Sequence, residues 1–133
     1  MSKDLLFLIY DKLEKKKDID KEFIDYLEEL FPNKSNTILE VVTRDIAKYI
    51  YKPSNRTVWT VMSAQKSKKP YLIYPKLYCS CIDFYKEVVL NRNKQFCKHI
   101  IAQVICEALK KYREVELKDS EFKNCMKDLK LKF

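Results

Sequence analysis

The sequence predicts an α+β domain in which three short helices come first and a small antiparallel three-stranded sheet follows. A metal-binding finger then leads into a buried helix and a short C-terminal helix. Apolar residues recur at helical spacing over 1–45, β-branched and aromatic residues dominate 46–74, and cysteine and histidine cluster at 79–99. A chain of 133 residues fits one domain, which we divide into a helical part (1–45), a finger module (46–112) and a C-terminal helix (113–133).

The N-terminal part is expected to form three short amphipathic helices. Apolar residues recur at intervals of three and four over 3–14 and again over 19–31. Thr37 followed three residues later by Glu40 is a capping-box pattern, which predicts that the third helix begins at Thr37. The apolar faces of these helices are expected to pack into the core.

The middle of the chain changes to a strand pattern. β-branched and aromatic residues over 46–51 and 57–62 flank a polar turn, in which Asn55 can adopt a positive φ. A third strand is expected over 71–74, just before the cysteine cluster.

Two helices are expected in the last third of the chain. Residues 100–112 are apolar around most of a helix circumference, which predicts a buried helix over 98–112. Asp119 or Ser120 is expected to cap a final short helix that ends near Leu129.

The composition excludes several classes of function. The chain contains no glycine, so it has no glycine-rich phosphate loop, no dinucleotide-binding turn and no G-x-S-x-G nucleophile elbow. Any nucleotide would therefore have to be held by a partner. The net charge of +8 is uneven, because 1–33 hold 6 Lys against 9 Asp and Glu, whereas 34–133 hold 21 Lys and Arg against 10 Asp and Glu. The basic part can meet nucleic acid or an acidic partner, or serve solubility alone.

The sequence is expected to be that of a soluble, intracellular protein. No apolar run approaches the roughly 18 residues that span a bilayer. The first residues lack a basic region followed by a small-residue cleavage site, so we expect no signal peptide. Thiols stay reduced inside cells, where grouped cysteines bind metal more often than they form disulfides.

A metal site is predicted by the spacing C-x-C-x15-C-x-H, formed by Cys79, Cys81, Cys97 and His99. Three thiolates and one imidazole are a preferred tetrahedral set for structural zinc. Four protein ligands leave no open position for catalysis, so we expect one structural Zn²⁺ and no enzymatic activity.

Three alternatives explain this cluster less well. A Cys79–Cys81 disulfide would close a very short, strained loop. A Cys97–His99 catalytic dyad would need an orienting group and an oxyanion site, which we cannot build from a chain without glycine. Buried cysteines that only pack, beside an incidental histidine, would not fall into two tight pairs.

Four residues near the site have other expected roles. Cys106 lies about 10 Å along the helix from His99, too far for the same ion. Cys106 and Cys125 are expected to be small apolar packing residues. Phe84 and Phe96 are expected to form an apolar lid over the zinc module.

The cysteine–histidine pattern and its surroundings resemble a SWIM-type zinc finger. The continuation through Ile100 and Ile101 to Ala102 gives C-x-H-x-x-A, which is similar to the extended motif of the SWIM-domain subunit of the Shu homologous-recombination complex. The hairpin pattern I-x-x-P-S-N-R-x-V-W, with Tyr78 and Phe84 around the first ligand pair, agrees with that family as well.

The resemblance implies a role as well as a site. By the resemblance, the metal ligands are Cys79, Cys81, Cys97 and His99, and Ala102 is a tight-packing position behind the finger. The family implies a nuclear, non-catalytic accessory factor of homologous recombination that pairs with a RecA-like recombinase paralogue. The complex would promote or protect recombinase filaments on single-stranded DNA during DNA repair.

A stand-alone SWIM zinc-finger DNA-binding module is the alternative. In that case several basic residues would contact phosphates. The candidates are Lys66, Lys68, Lys69, Arg92, Lys94 and Lys98. A role in ubiquitin ligation, a process in which SWIM fingers also occur, has no support from residues beyond the finger itself.

Overall fold

The computed structural model describes residues 2–63, 70–75, 78–92 and 96–121, with side chains from residue 5 onward. Three helices come first and four strands follow in succession, a segregation that is typical of the predicted α+β class. The helical elements are α1 (Ser2–Lys16), α2 (Lys21–Leu30), α3 (Ser35–Val42), a π-helical segment (Phe84–Leu90) and α4 (Lys98–Leu109). The strands are β1 (Ile46–Lys52), β2 (Arg56–Val61), β3 (Tyr71–Tyr74), β4 (Tyr78–Cys79) and β5 (Arg113–Lys118).

The strands form one mixed sheet in the order β4-β3-β2-β1-β5. The first four strands pair antiparallel in chain order, whereas β5 pairs parallel to β1. The chain must therefore return from β4 across the sheet to β5, and α4 lies on this return. Within the described ranges no helix is long and apolar enough to cross a bilayer.

The predicted three-stranded antiparallel sheet was wrong in its strand count. The two-residue strand β4 extends the sheet to the first metal ligand, and β5 occupies residues that we placed in the C-terminal helix. β5 carries mostly charged side chains, which suit the edge of a sheet because they discourage pairing with another chain. Residues 119–121 are helical, and the rest of the expected last helix lies outside the described residues.

α1 and α2 form where the periodicity predicted them, but the expected start of α3 was wrong. Asp20 caps α2, and its carboxylate accepts a hydrogen bond from Phe23 N at 2.9 Å. α3 begins at Ser35 rather than Thr37, and Ser35 Oγ donates to the Glu28 carboxylate at 2.7 Å.

α4 runs through the middle of the core, with α1 and α3 against it on one side and the sheet on the other. A second, smaller cluster formed by Tyr51, Val58 and Leu72 covers the opposite face of the sheet. Asn55 has φ 64° in the β1–β2 turn, which confirms the expected positive-φ position. The sheet and α4 together fix the two segments that carry the cysteines.

Candidate metal centre

Two neighbouring parts of the fold supply the predicted metal ligands. Cys79 ends β4 and Cys81 follows two residues later, while Cys97 caps α4 and His99 lies in its first turn. All four side chains are buried, and their ligand atoms lie within 4.8 Å of one another. The structure therefore brings together the four residues that the spacing singled out.

The separations suit a tetrahedral ion. Zinc binds sulfur at about 2.3 Å and nitrogen at about 2.0–2.1 Å, which places neighbouring ligand atoms roughly 3.5–3.8 Å apart. Nδ1 of His99 lies 3.7 Å from Sγ of Cys79, within that range. A small contraction of the widest separation would complete the shell.

The three thiols are close enough to change one another's ionisation. The hydrogen bond from Cys79 lowers the pKa of Cys81 most, and the one from Cys97 lowers it further. The backbone N–H of Phe84 also donates to the sulfur of Cys81, at 3.3 Å. The hydrogen bond between Cys79 and Cys81 raises the pKa of Cys79. A bound metal ion would replace these shared protons, since a coordinated thiol is a thiolate.

Aromatic rings enclose the cluster. Phe84 and Phe96 are both buried, at the positions that we expected for a lid. The Phe84 ring meets Tyr78 edge to face, with centroids 5.6 Å apart. On the other side the ring of Tyr71, from β3, lies 4.5 Å from the His99 ring. Sequence reasoning did not identify Tyr71, because its contact with His99 depends on the pairing of β3 with β4.

The donor set fits one zinc ion. Three buried sulfurs and one imidazole nitrogen complete a tetrahedron without a water or substrate position. Bound there, zinc would supply a cross-link between the end of β4 and the start of α4. The chemistry of this centre is therefore structural stabilisation.

Two further residues that the sequence singled out, Cys106 and Ala102, also lie in the core. The sulfur of Cys106 lies 3.8 Å from the Val42 carbonyl oxygen, and burial raises its pKa to about 11. It therefore packs away from the metal ligands. Ala102 is fully buried on α4. Cys125 lies outside the described residues.

Two of the candidate phosphate contacts fall in the described part of the chain. Arg92 is exposed just after the π-helical segment, and Lys98 is partly buried at the start of α4. The remaining four lie outside the described residues. They are Lys66, Lys68, Lys69 and Lys94. Contact with nucleic acid stays a prediction for all six.

Comparison with known proteins gives related sequences over most of the chain. It is 30% identical over 122 residues to the zinc finger SWIM domain-containing protein 7 homolog of Dictyostelium discoideum, covering 91% of this chain and 77% of that protein. It is 27% identical over 104 residues to zinc finger SWIM domain-containing protein 7 of Homo sapiens, covering 77% of this chain and 73% of that protein. No family model matches the chain, and no solved structure matches it significantly. The level and extent of identity to the Dictyostelium protein establish that this chain belongs to the zinc finger SWIM domain-containing protein 7 family.

Proposed function

We propose that this protein is a non-catalytic, zinc-binding accessory subunit of homologous-recombination DNA repair that acts in the nucleus. It pairs with a RecA-like recombinase paralogue, and the complex promotes or protects recombinase filaments on single-stranded DNA. The closed Cys₃His centre supports a structural role for the metal. The absence of glycine supports a division of labour in which the partner holds the nucleotide.

One observation carries the proposal that the finger meets a protein. The segment between the two ligand pairs exposes four large apolar side chains within nine residues, and each is between 49% and 71% exposed. They are Ile82, Tyr85, Val89 and Leu90. Large exposed apolar groups that lie together are typical of a protein interface. A surface made only for phosphates would present cations instead.

The helical part adds a second apolar surface. Phe7 and Leu8 of α1 are each more than half exposed, although the rest of the α1 stripe is buried. A partner that covers the finger segment, α1 or both would remove these side chains from water, which favours association.

The test is to purify the tagged full chain from its native cells and identify the bound proteins by mass spectrometry. We expect a stoichiometric RecA-like paralogue with the wild-type chain. Val89→Asp places a charge in the apolar finger surface and is expected to lose the paralogue. Lys86→Asp changes the charge of a neighbouring exposed position and should retain it. Absence of any such paralogue from the wild-type preparation would refute the proposal.

The stand-alone DNA-binding module remains the second candidate because residues 34–133 carry a net charge of +11 (21 basic minus 10 acidic residues). Autonomous binding through several phosphates should appear for the isolated chain. It should also weaken steeply as salt is raised from 50 to 200 mM, by roughly 10³-fold or more for six contacts. Weak binding that changes little with salt would favour the adaptor.

A further inference from the structure

α4 carries a row of three polar residues on one face. His99, Gln103 and Glu107 follow one another at intervals of four, so their side chains lie above one another along the helix. Gln103 is fully buried in a core that is otherwise almost entirely apolar. A buried amide is costly unless its polar atoms are paired, so this position calls for an explanation.

Glu107 fixes the orientation of the Gln103 amide. Nε2 of Gln103 donates to Oε1 of Glu107 at 2.8 Å. Because an ionised carboxylate only accepts hydrogen bonds, the amide nitrogen has to face Glu107. The amide oxygen Oε1 of Gln103 is then left buried, without a hydrogen-bond partner in the described part of the molecule.

His99 has the complementary unpaired atom. Its Nδ1 lies against the sulfur of Cys79, whereas its Nε2 is buried without a partner among the described residues. When Nδ1 binds a metal ion, Nε2 carries the proton and becomes a donor. Ligating histidines ordinarily donate this proton to an acceptor, which fixes the orientation of the ring.

The two residues that carry the unpaired atoms lie one helical turn apart. Side chains four residues apart on a helix have Cβ atoms about 5–6 Å from each other, and they lean toward the N-terminus. Gln103 therefore reaches back toward His99. A shift of the amide, or one buried water molecule, would be needed to join the two atoms, since neither has a partner among the described residues.

We propose that Gln103 is a positioning residue for the metal centre. Its amide oxygen accepts the Nε2 hydrogen of His99, directly or through one water, and Glu107 holds the amide in that orientation. The row runs from the buried ligand to a partly exposed carboxylate beside α1. It fixes the ring of His99 in the conformation that ligates zinc and slows loss of the ion.

The single histidine of the chain makes a direct test practicable. In the zinc-loaded full chain, ¹⁵N-histidine NMR should show Nδ1 bound to metal and a proton on Nε2, with that proton shifted downfield by its hydrogen bond. A proton on Nδ1, with Nε2 bound to the ion, would overturn the proposal. So would an Nε2 proton at the shift of a free imidazole.

A pair of variants separates positioning from packing. Gln103→Met keeps the side-chain volume but removes the acceptor. It is expected to lower zinc affinity by about 10–100-fold and to move the Nε2 proton upfield. The double variant Gln103→Glu with Glu107→Gln exchanges the two roles and restores an acceptor beside His99, so both readouts should return toward wild type.

The opposite results would contradict this account. If Gln103→Met bound zinc as tightly as wild type and kept the Nε2 proton shift, Gln103 would have no part in the metal centre. Should Gln103→Met fail to fold, the Nε2 shift of wild type and the zinc affinity of the exchanged double variant decide the matter. An exchanged variant that folded but bound zinc 10-fold more weakly would overturn the proposal.

Discussion

Ser54 and Asp119 lie 65 residues apart in the chain, yet Asp119 accepts two hydrogen bonds from Ser54. Its carboxylate oxygens accept from Ser54 N at 3.1 Å and from Ser54 Oγ at 2.7 Å. At the opposite end of the same strand pair, Arg113 donates to Asp45 at 3.1 Å. Side-chain hydrogen bonds therefore connect β1 and β5 at both ends of this parallel pair.

We predict that Asp119→Ala destabilises the domain. In the variant, water replaces Asp119 as the acceptor for the Ser54 N–H and hydroxyl groups. The end of β5 then loses its hydrogen bonds to the β1–β2 turn. We expect a loss of about 1–2 kcal/mol in the free energy of unfolding, since hydrogen bonds to a charged group contribute more than neutral ones. Urea unfolding at a constant zinc concentration measures this change in the free energy of unfolding. Ser120→Ala, at the neighbouring exposed position, is the control and should change stability by less than about 0.5 kcal/mol.

The C-terminal end of α4 carries a second testable feature. Lys110 has φ 57° and closes the helix, with the Lys111 N–H donating to the Cys106 carbonyl at 2.8 Å. This is the left-handed position that glycine usually fills, and the chain has no glycine. A side chain there costs about 1–2 kcal/mol, which exceeds the entropic cost of glycine.

Lys110→Gly is therefore expected to stabilise the domain, by up to about 1 kcal/mol. Lys111→Gly is the matched control, because Lys111 does not have a positive φ and should gain nothing. The unfolding midpoints of the two variants in urea make the comparison. A drop in stability for both would mean that the left-handed conformation carries no strain.

Ala102 tests the packing behind the finger. It is fully buried on α4, where a larger side chain has to displace its neighbours. We expect Ala102→Leu to cost about 1–3 kcal/mol and Ala102→Ser, which adds one atom, to cost clearly less. Thermal unfolding of the two zinc-loaded variants measures which substitution destabilises the domain more. Equal stability of Ala102→Leu and wild type would show that the site has spare room.

The ligand cysteines and Cys106 make a matched set. Cys81→Ser removes one ligand from the buried tetrahedron, so the variant should lose its zinc and the cooperative unfolding of residues 46–112. Cys106→Ser alters a buried thiol outside that group and should keep one zinc per chain. Metal analysis and thermal melts provide the readout. A zinc-free Cys81→Ser protein with a wild-type melt would show that the metal does not organise the module.

The sequence predicted most of the helices and the centre of the sheet, because those elements follow local patterns. Apolar spacing placed α1, α2 and α4, and the C-x-C and C-x-H pairs placed the ligands. The third helix begins two residues earlier than expected, and the predicted capping box does not form because Glu40 bonds Arg44 at 2.6 Å instead. Glu40 has two competing local partners, the helix N-terminus and Arg44, and the sequence pattern does not decide between them.

Other features had no local signal. β5 has only two apolar residues and lies beside β1 through a long crossover, so neither its pattern nor its neighbours along the chain reveal it. The π-helical segment Phe84–Leu90 was not expected, because its mixture of apolar and charged residues suits several conformations. Tyr71 borders the metal centre only because β3 brings its ring against His99. Such contacts depend on packing between distant segments.

We expect zinc bound by the Cys₃His centre to organise the finger module. Trp59, the only tryptophan, reports on this, because Trp59 pairs with Ile73 in β3 and Ile73 pairs with Cys79 in β4. It is buried, with its ring 4.8 Å from that of Tyr112. Structural zinc contributes about 10–16 kcal/mol in small fingers, which is comparable to the stability of a whole domain.

The most direct measurement is to withdraw zinc from the wild-type chain with a chelator while following metal content and Trp59 fluorescence together. We expect one zinc per chain, and a shift of Trp59 emission to that of exposed tryptophan as the ion leaves, with recovery when zinc is restored. A metal-free chain that kept the buried Trp59 emission and a cooperative melt would contradict the claim.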